Sequence, residues 1–268
     1  MSKQVKLFVV EGENRESRFL NWMIDTFFQG RFSAKIITLS AAQNIYMLYQ
    51  ILKNDDFETD MVEVLRDHVD DAEKQLEGIS RQDISEIYMF FDYDLQQNNL
   101  RECENAYDIL EDMLSVFDNE TENGKLYISY PMVEALYDYR DKLCQVYSTC
   151  YIDIDQLSKY KTISGNGNPK ASLHFRYDDW KEILNVFTLR VKCFLDLKQI
   201  DYEYYQTNID PTVIFQKQNQ LREENNQVFV LSGFPEFLLD YFKHDFWNTV
   251  IKRNKSQYEY CLKDKRRF

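Results

Sequence analysis

Short, nearly uninterrupted apolar runs separated by stretches of helical periodicity constrain this chain more than any other feature. Val5–Val10 (VKLFVV), Ala34–Leu39 (AKIITL) and Ile87–Phe91 (IYMFF) are three such runs, and Leu126–Ser129 (LYIS) is a fourth. A strand without polar alternation is what a parallel sheet requires when helices cover both its faces. Between the runs, Arg15–Phe28 puts Phe19, Leu20, Met23 and Phe27 at helical spacing. Ser40 stands as an N-cap before a helix over 41–52, and 57–76 reads as one long helix with Met61, Val64, Leu65, Val69 and Leu76 inside. Helices over 100–117 and from Met132 to Tyr139 complete the alternation. Strands joined by helices of these lengths predict right-handed crossovers and an α/β fold with a mainly parallel central sheet flanked by helices.

The second half is organised differently. Residues 144–167 lose periodicity and end in the loop signal Ser164-Gly165-Asn166-Gly167-Asn168-Pro169. Helices are expected over 178–197, 211–224 and 234–251, with one further buried strand at Val228–Leu231. The division that follows is a core over 1–143 and a mostly helical C-terminal extension over 144–268, packed on the core.

Composition narrows the chemistry. Five cysteines are scattered with no CxxC pair, and three histidines stand in unrelated segments. That pattern fits reduced thiols and cytoplasmic placement, and it directs any metal toward oxygen ligands. No apolar run approaches the roughly 20 residues of a membrane span, and the start of the chain lacks the long apolar core of a secretory signal. The formal charge of −13 opposes nucleic-acid binding, whose non-specific affinity comes mostly from neutralised phosphates. A local Lys/Arg patch with bound cations, or a basic partner protein, would reconcile that charge with function.

The acidic residues of interest follow the strands. Glu11 and Gly12 come directly after Val10, and Glu16 falls in the first turns of the next helix. A carboxylate followed by glycine lets the chain turn closely beneath a ligand. Asp92 and Asp94 follow Phe91, separated by Tyr93. In open α/β sheets, ligands bind at the carboxyl ends of the strands, so these acids are placed to converge on one edge. Mg²⁺ or Mn²⁺ suits such a set, because Mg²⁺ takes one or two carboxylates together with water and substrate phosphate.

The Glu11-Gly12-x-x-x-Glu16 and Phe91-Asp92-Tyr93-Asp94 motifs, in that order on successive strand ends, resemble the Toprim domain. The finer resemblance is to small stand-alone Toprim proteins of bacterial phage defence, the RloB-like and OLD-type nucleases. These carry a further glutamate at a helix start after the fourth strand, where Glu134 stands in Pro131-Met132-Val133-Glu134. The resemblance spans about residues 3–140. It implies Glu11, Asp92 and Asp94 as catalytic groups and Glu11, Glu16, Asp92, Asp94 and Glu134 as ligands for Mg²⁺ or Mn²⁺. It also implies a DNA or RNA substrate, tRNA included, and an ABC- or SMC-like ATPase partner. No motif fixes the lysine that many OLD-type nucleases place near the site; Lys170 is the loop lysine at hand. Oligomeric state is left open.

Each acid has a plainer reading. Glu11 can be a solvated turn residue, Glu16 and Glu134 helix-start carboxylates favoured by the macrodipole, and Asp94 the start of a turn. Tyr202-Glu203-Tyr204-Tyr205 can stack bases or pack in a core. The leading function is a metal-dependent nuclease. Its rivals are a non-catalytic interaction subunit held on an ATPase, and a primase-like enzyme for which zinc-finger cysteines are missing.

Overall fold

Two compact units divide the chain, Met1–Tyr127 and Ile128–Phe268. The computed structural model describes residues 4–12, 15–40, 44–93, 106–138, 150–165 and 174–250. The boundary expected at 143–144 lies outside them.

In the first unit, strand β1 (Val5–Glu11) is buried from Val5 to Val10. It pairs in parallel with β2 (Ser33–Leu39) on one side and β3 (Ile84–Asp92) on the other. Those are the three apolar runs; burial on both faces explains the missing alternation in β1 and over Ile87–Phe91 of β3, whereas β2, at the sheet edge, is fully buried only at Ile37 and Leu39. The sheet has five strands in the order β2-β1-β3-β5-β4 and is mostly parallel. Its far edge is β4 (Asp118–Asn119), which runs antiparallel to β5 (Gly124–Ser129); the division between the units falls within β5.

Helix α1 (Arg15–Phe27) buries Glu16, Phe19, Leu20, Met23 and Phe27. Helix α2 (Ile45–Asn54) is capped by Asn44, whose side chain accepts from the Met47 N–H. The cap expected at Ser40 therefore stands four residues early. The long helix expected over 57–76 is two pieces, α3 (Met61–His68) and α4 (Ala72–Gln75). Between them Asp71 takes φ 59°, the left-handed region, which ends one helix and starts the next. Helix α5 (Ala106–Val116) follows β3.

In the second unit, a 3₁₀ turn over Val133–Asp138 replaces the helix expected from Met132. The aperiodic stretch after 144 contains regular structure in its described part: β6 (Tyr151–Asp153), a 3₁₀ turn (Ile154–Lys159) and α6 (Tyr160–Gly165). Ser164 and Gly165, read as loop, close that helix. Helices α7 (Tyr177–Phe194), α8 (Tyr202–Asn208) and α9 (Pro211–Asn225) lead to β7 (Gln227–Phe229), which pairs antiparallel with β6. The final described helix, α10 (Gly233–Val250), breaks at Lys243, where φ is 50°. No helix among the described residues is long and apolar enough to cross a membrane.

Candidate functional site at the carboxyl edge of the sheet

The site grows from the turn that ends β1. Glu11 is still in register with Leu39 of β2, and the Gly12 N–H donates to the Leu39 carbonyl at 3.4 Å. There the chain turns away, with Gly12 at φ 98°, a conformation that costs glycine little and other residues more. A carbon added at Gly12 would lie 2.8 Å from Glu16 Oε2 and 3.1 Å from Oε1. The Glu16 carboxylate is thus folded back over the backbone of Gly12, beside Glu11, and uses the space that a side chain would fill. Glu16 is buried, and Oε2 of Glu11 is a buried oxygen. Helix α1 contributes too, because its N-terminal dipole favours a carboxylate in its first turn.

Asp92 stands at the same edge on the neighbouring strand. The β1–β3 register runs through Val10↔Phe90, so Asp92 lies about one residue farther along than Glu11. Registered residues of a parallel pair share a face, and successive residues alternate. The pleat therefore groups Glu11 with Leu7 and Val9, and Asp92 with Tyr88 and Phe90. Tyr93, which follows, is buried.

Glu134 belongs to the second unit and is fully buried. Its 3₁₀ turn is tied down from several directions. Ser164 Oγ donates to the Glu134 carbonyl at 2.9 Å, and Arg190 donates to the carbonyls of Asp138 and Val230. The Asp138 carboxylate accepts from the Tyr160 hydroxyl at 2.5 Å. Burial, with Asp138 next in importance, pushes the Tyr160 phenol well above its ordinary value.

Of the residues singled out from sequence, Glu11, Gly12 and Glu16 form one corner, and Asp92 shares their sheet edge. Asp94 and Lys170 lie outside the described residues. Among the described residues, no three His, Cys, Asp or Glu side chains are gathered into a metal-binding group. The donors at the corner are carboxylate oxygens, the donor chemistry that a hard divalent cation takes. Cys150, by contrast, is buried and its thiol is pushed up by that burial, which fits an inert packing residue.

Beside this corner, α1 also carries cationic and aromatic side chains. Arg15, Arg18 and Trp22 on α1 carry cations and a half-exposed indole, with the Arg18 guanidinium 5.4 Å from the Trp22 ring centre.

Comparison with known proteins gives no match among family models, curated proteins or solved structures.

Proposed function

We propose that this chain is a divalent-metal-dependent nuclease of the Toprim type, acting on DNA or RNA phosphodiesters as an effector of phage defence. The observation that carries the reading is the Glu16 carboxylate folded over Gly12 beside Glu11, where β1 ends parallel to the strand that carries Asp92. In this reading Glu11, Glu16, Asp92 and Asp94 hold Mg²⁺ or Mn²⁺. Because Glu11 and Asp92 fall on alternate pleats, a shared cation belongs beyond the edge, over the strand ends rather than on either face of the sheet. The bound metal supplies activation of water and neutralisation of charge on the phosphate. The chain's own residues position that chemistry. Gly12 holds the backbone low, and Glu16 is fixed by burial. The resemblance also brings tRNA and an ABC- or SMC-like ATPase partner into the reading.

The deciding experiment incubates pure protein and Mg²⁺ or Mn²⁺ with plasmid, single-stranded DNA and total tRNA, beside Glu11→Ala and Asp92→Ala. The expected result is cleavage of at least one substrate, abolished by both substitutions and by chelation. Mn²⁺ should also raise the melting temperature of wild type and of neither variant. Absence of both cleavage and metal stabilisation would favour the other reading, a non-catalytic subunit held on an ATPase. That alternative draws its support from the net charge of −13, which opposes binding of a polyanion.

A further inference from the structure

We propose that the buried Arg190 guanidinium and the start of α10 hold a chloride ion in a small cavity of the second unit. Arg190 stands on α7 and is 4% exposed. One terminal nitrogen donates to the Val230 carbonyl at 2.7 Å, and the other donates to the Asp138 carbonyl. Its Nε is buried and has no hydrogen-bond partner. Carbonyl dipoles satisfy hydrogens but leave the net charge in place. Among the described residues no carboxylate forms an ion pair with Arg190. The Asp138 carboxylate accepts instead from the Tyr160 hydroxyl. Glu134 and Glu236, buried next in sequence to the lining residues Ala135 and Pro235, have other partners. A charge held this way, with one donor unused, is costly in apolar surroundings.

Charge and size choose the occupant. Arg190 faces the cavity together with Ile183 and Phe187, which form an apolar wall, and with Ser232 and Pro235 at the start of α10. The Ser232 hydroxyl accepts from the Phe234 N–H at 3.4 Å and can donate its own hydrogen. The N-terminal end of that helix adds partial positive charge. The cavity volume of about 20 Å³ exceeds the roughly 10–15 Å³ that one water needs. That admits a water or a halide, whereas the four oxygens of phosphate or sulfate do not fit. Between water and halide, the uncompensated guanidinium selects the anion, since only the anion removes the cost of the buried charge. The inference concerns the second unit alone and does not depend on the nuclease reading.

Bromide replaces chloride and scatters X-rays anomalously, so a crystal of the full chain grown in sodium bromide locates the ion. An anomalous peak at hydrogen-bonding distance from Arg190 Nε is the expected result. In solution, the melting temperature is followed at constant ionic strength while gluconate is exchanged for chloride. Chloride should raise it along a saturating curve by about 2–4 °C, and bromide should do the same. General salt effects on burial instead grow without saturation and favour sulfate. Arg190→Met should abolish the saturating rise. Because that change also removes two bonds to carbonyls and can unfold the unit, Ser232→Ala supplies a second reading. It keeps the guanidinium and should move the curve to about fivefold higher chloride. Water alone at Nε in the bromide crystal, a rise that does not saturate, or a curve that Ser232→Ala leaves in place overturns the proposal.

Discussion

At Gly12 a single added carbon would meet a carboxylate oxygen, so one residue joins backbone conformation to the proposed chemistry. Its φ of 98° is strained for a side-chain-bearing residue by about 1–2 kcal/mol, and the new Cβ would push the Glu16 carboxylate aside from 2.8 Å. Gly12→Ala should lower unfolding stability by about that amount in urea and should lose the Mn²⁺-dependent rise in melting temperature. A variant that keeps the full Mn²⁺ response would separate the glycine from the site. A second residue-scale consequence concerns phenols. Tyr160 is held above its ordinary range by burial and then by Asp138, and Tyr205 by burial and then by Glu236, Asp240 and Asp210. For a group whose folded pKa is raised, the contribution is complete below the unfolded value, about 10 for tyrosine, and is lost as pH climbs toward the folded value. Stability should therefore be level through neutral pH and fall steadily above about pH 10. Tyr160→Phe should flatten that alkaline decline, and at neutral pH it should cost about 1 kcal/mol for the lost hydrogen bond to Asp138. Urea unfolding at a series of pH values measures both.

At the scale of elements, legibility followed burial. The β1 and β3 runs, buried on both faces, and the edge run of β2 were readable because short apolar runs rich in β-branched and aromatic residues alternate with helical periodicity, and α1 because its periodicity is clean. Periodicity could not see Asp71, whose left-handed backbone splits the long helix into α3 and α4 while the apolar positions on either side stay nearly in phase. Asn44 was missed because Ser40 is an equally good cap in composition, and only the Met47 hydrogen bond decides. In the site, Glu11 and Asp92 were legible from strand ends. The folding of Glu16 over Gly12 was not, since it depends on a three-dimensional turn. Nor were the bonds from Ser164 and Arg190, whose partners are backbone carbonyls without a sequence signature. Helix α9 gives the sharpest case. It is polar along most of its length, burying Ile214, Phe215 and Gln218. Fully buried Gln218 donates to the Phe229 carbonyl at 2.7 Å and accepts from its N–H at 2.9 Å. One side chain thus substitutes for a neighbouring strand on β7. Gln218→Leu should leave both buried backbone groups unsatisfied and destabilise the second unit by about 2–4 kcal/mol. A loss below about 0.5 kcal/mol in chemical denaturation would mean that β7 does not depend on this contact.

Across the whole molecule, the issue is how a chain of charge −13 can engage a polyanion. The richest run of cations is the basic C-terminal sequence, which holds Lys252, Arg253, Lys255, Lys263, Lys265, Arg266 and Arg267 and lies outside the described residues. Each phosphate neutralised on a single strand contributes about −0.7 to the slope of log affinity against log salt, so seven cations engaging phosphates would give a slope near about −5. A strand held only at the carboxylates, through divalent cations, would show a slope near zero, because the acidic surface repels it and lower salt extends that repulsion as the Debye length grows past about 10 Å. Anisotropy titrations across a salt series, on the full chain and on a full-length chain with these seven residues replaced by glutamine, distinguish the two. A steep slope that the replacement abolishes is the expected outcome. A shallow slope that survives it would mean that the strand is held beside the carboxylates rather than through the basic end.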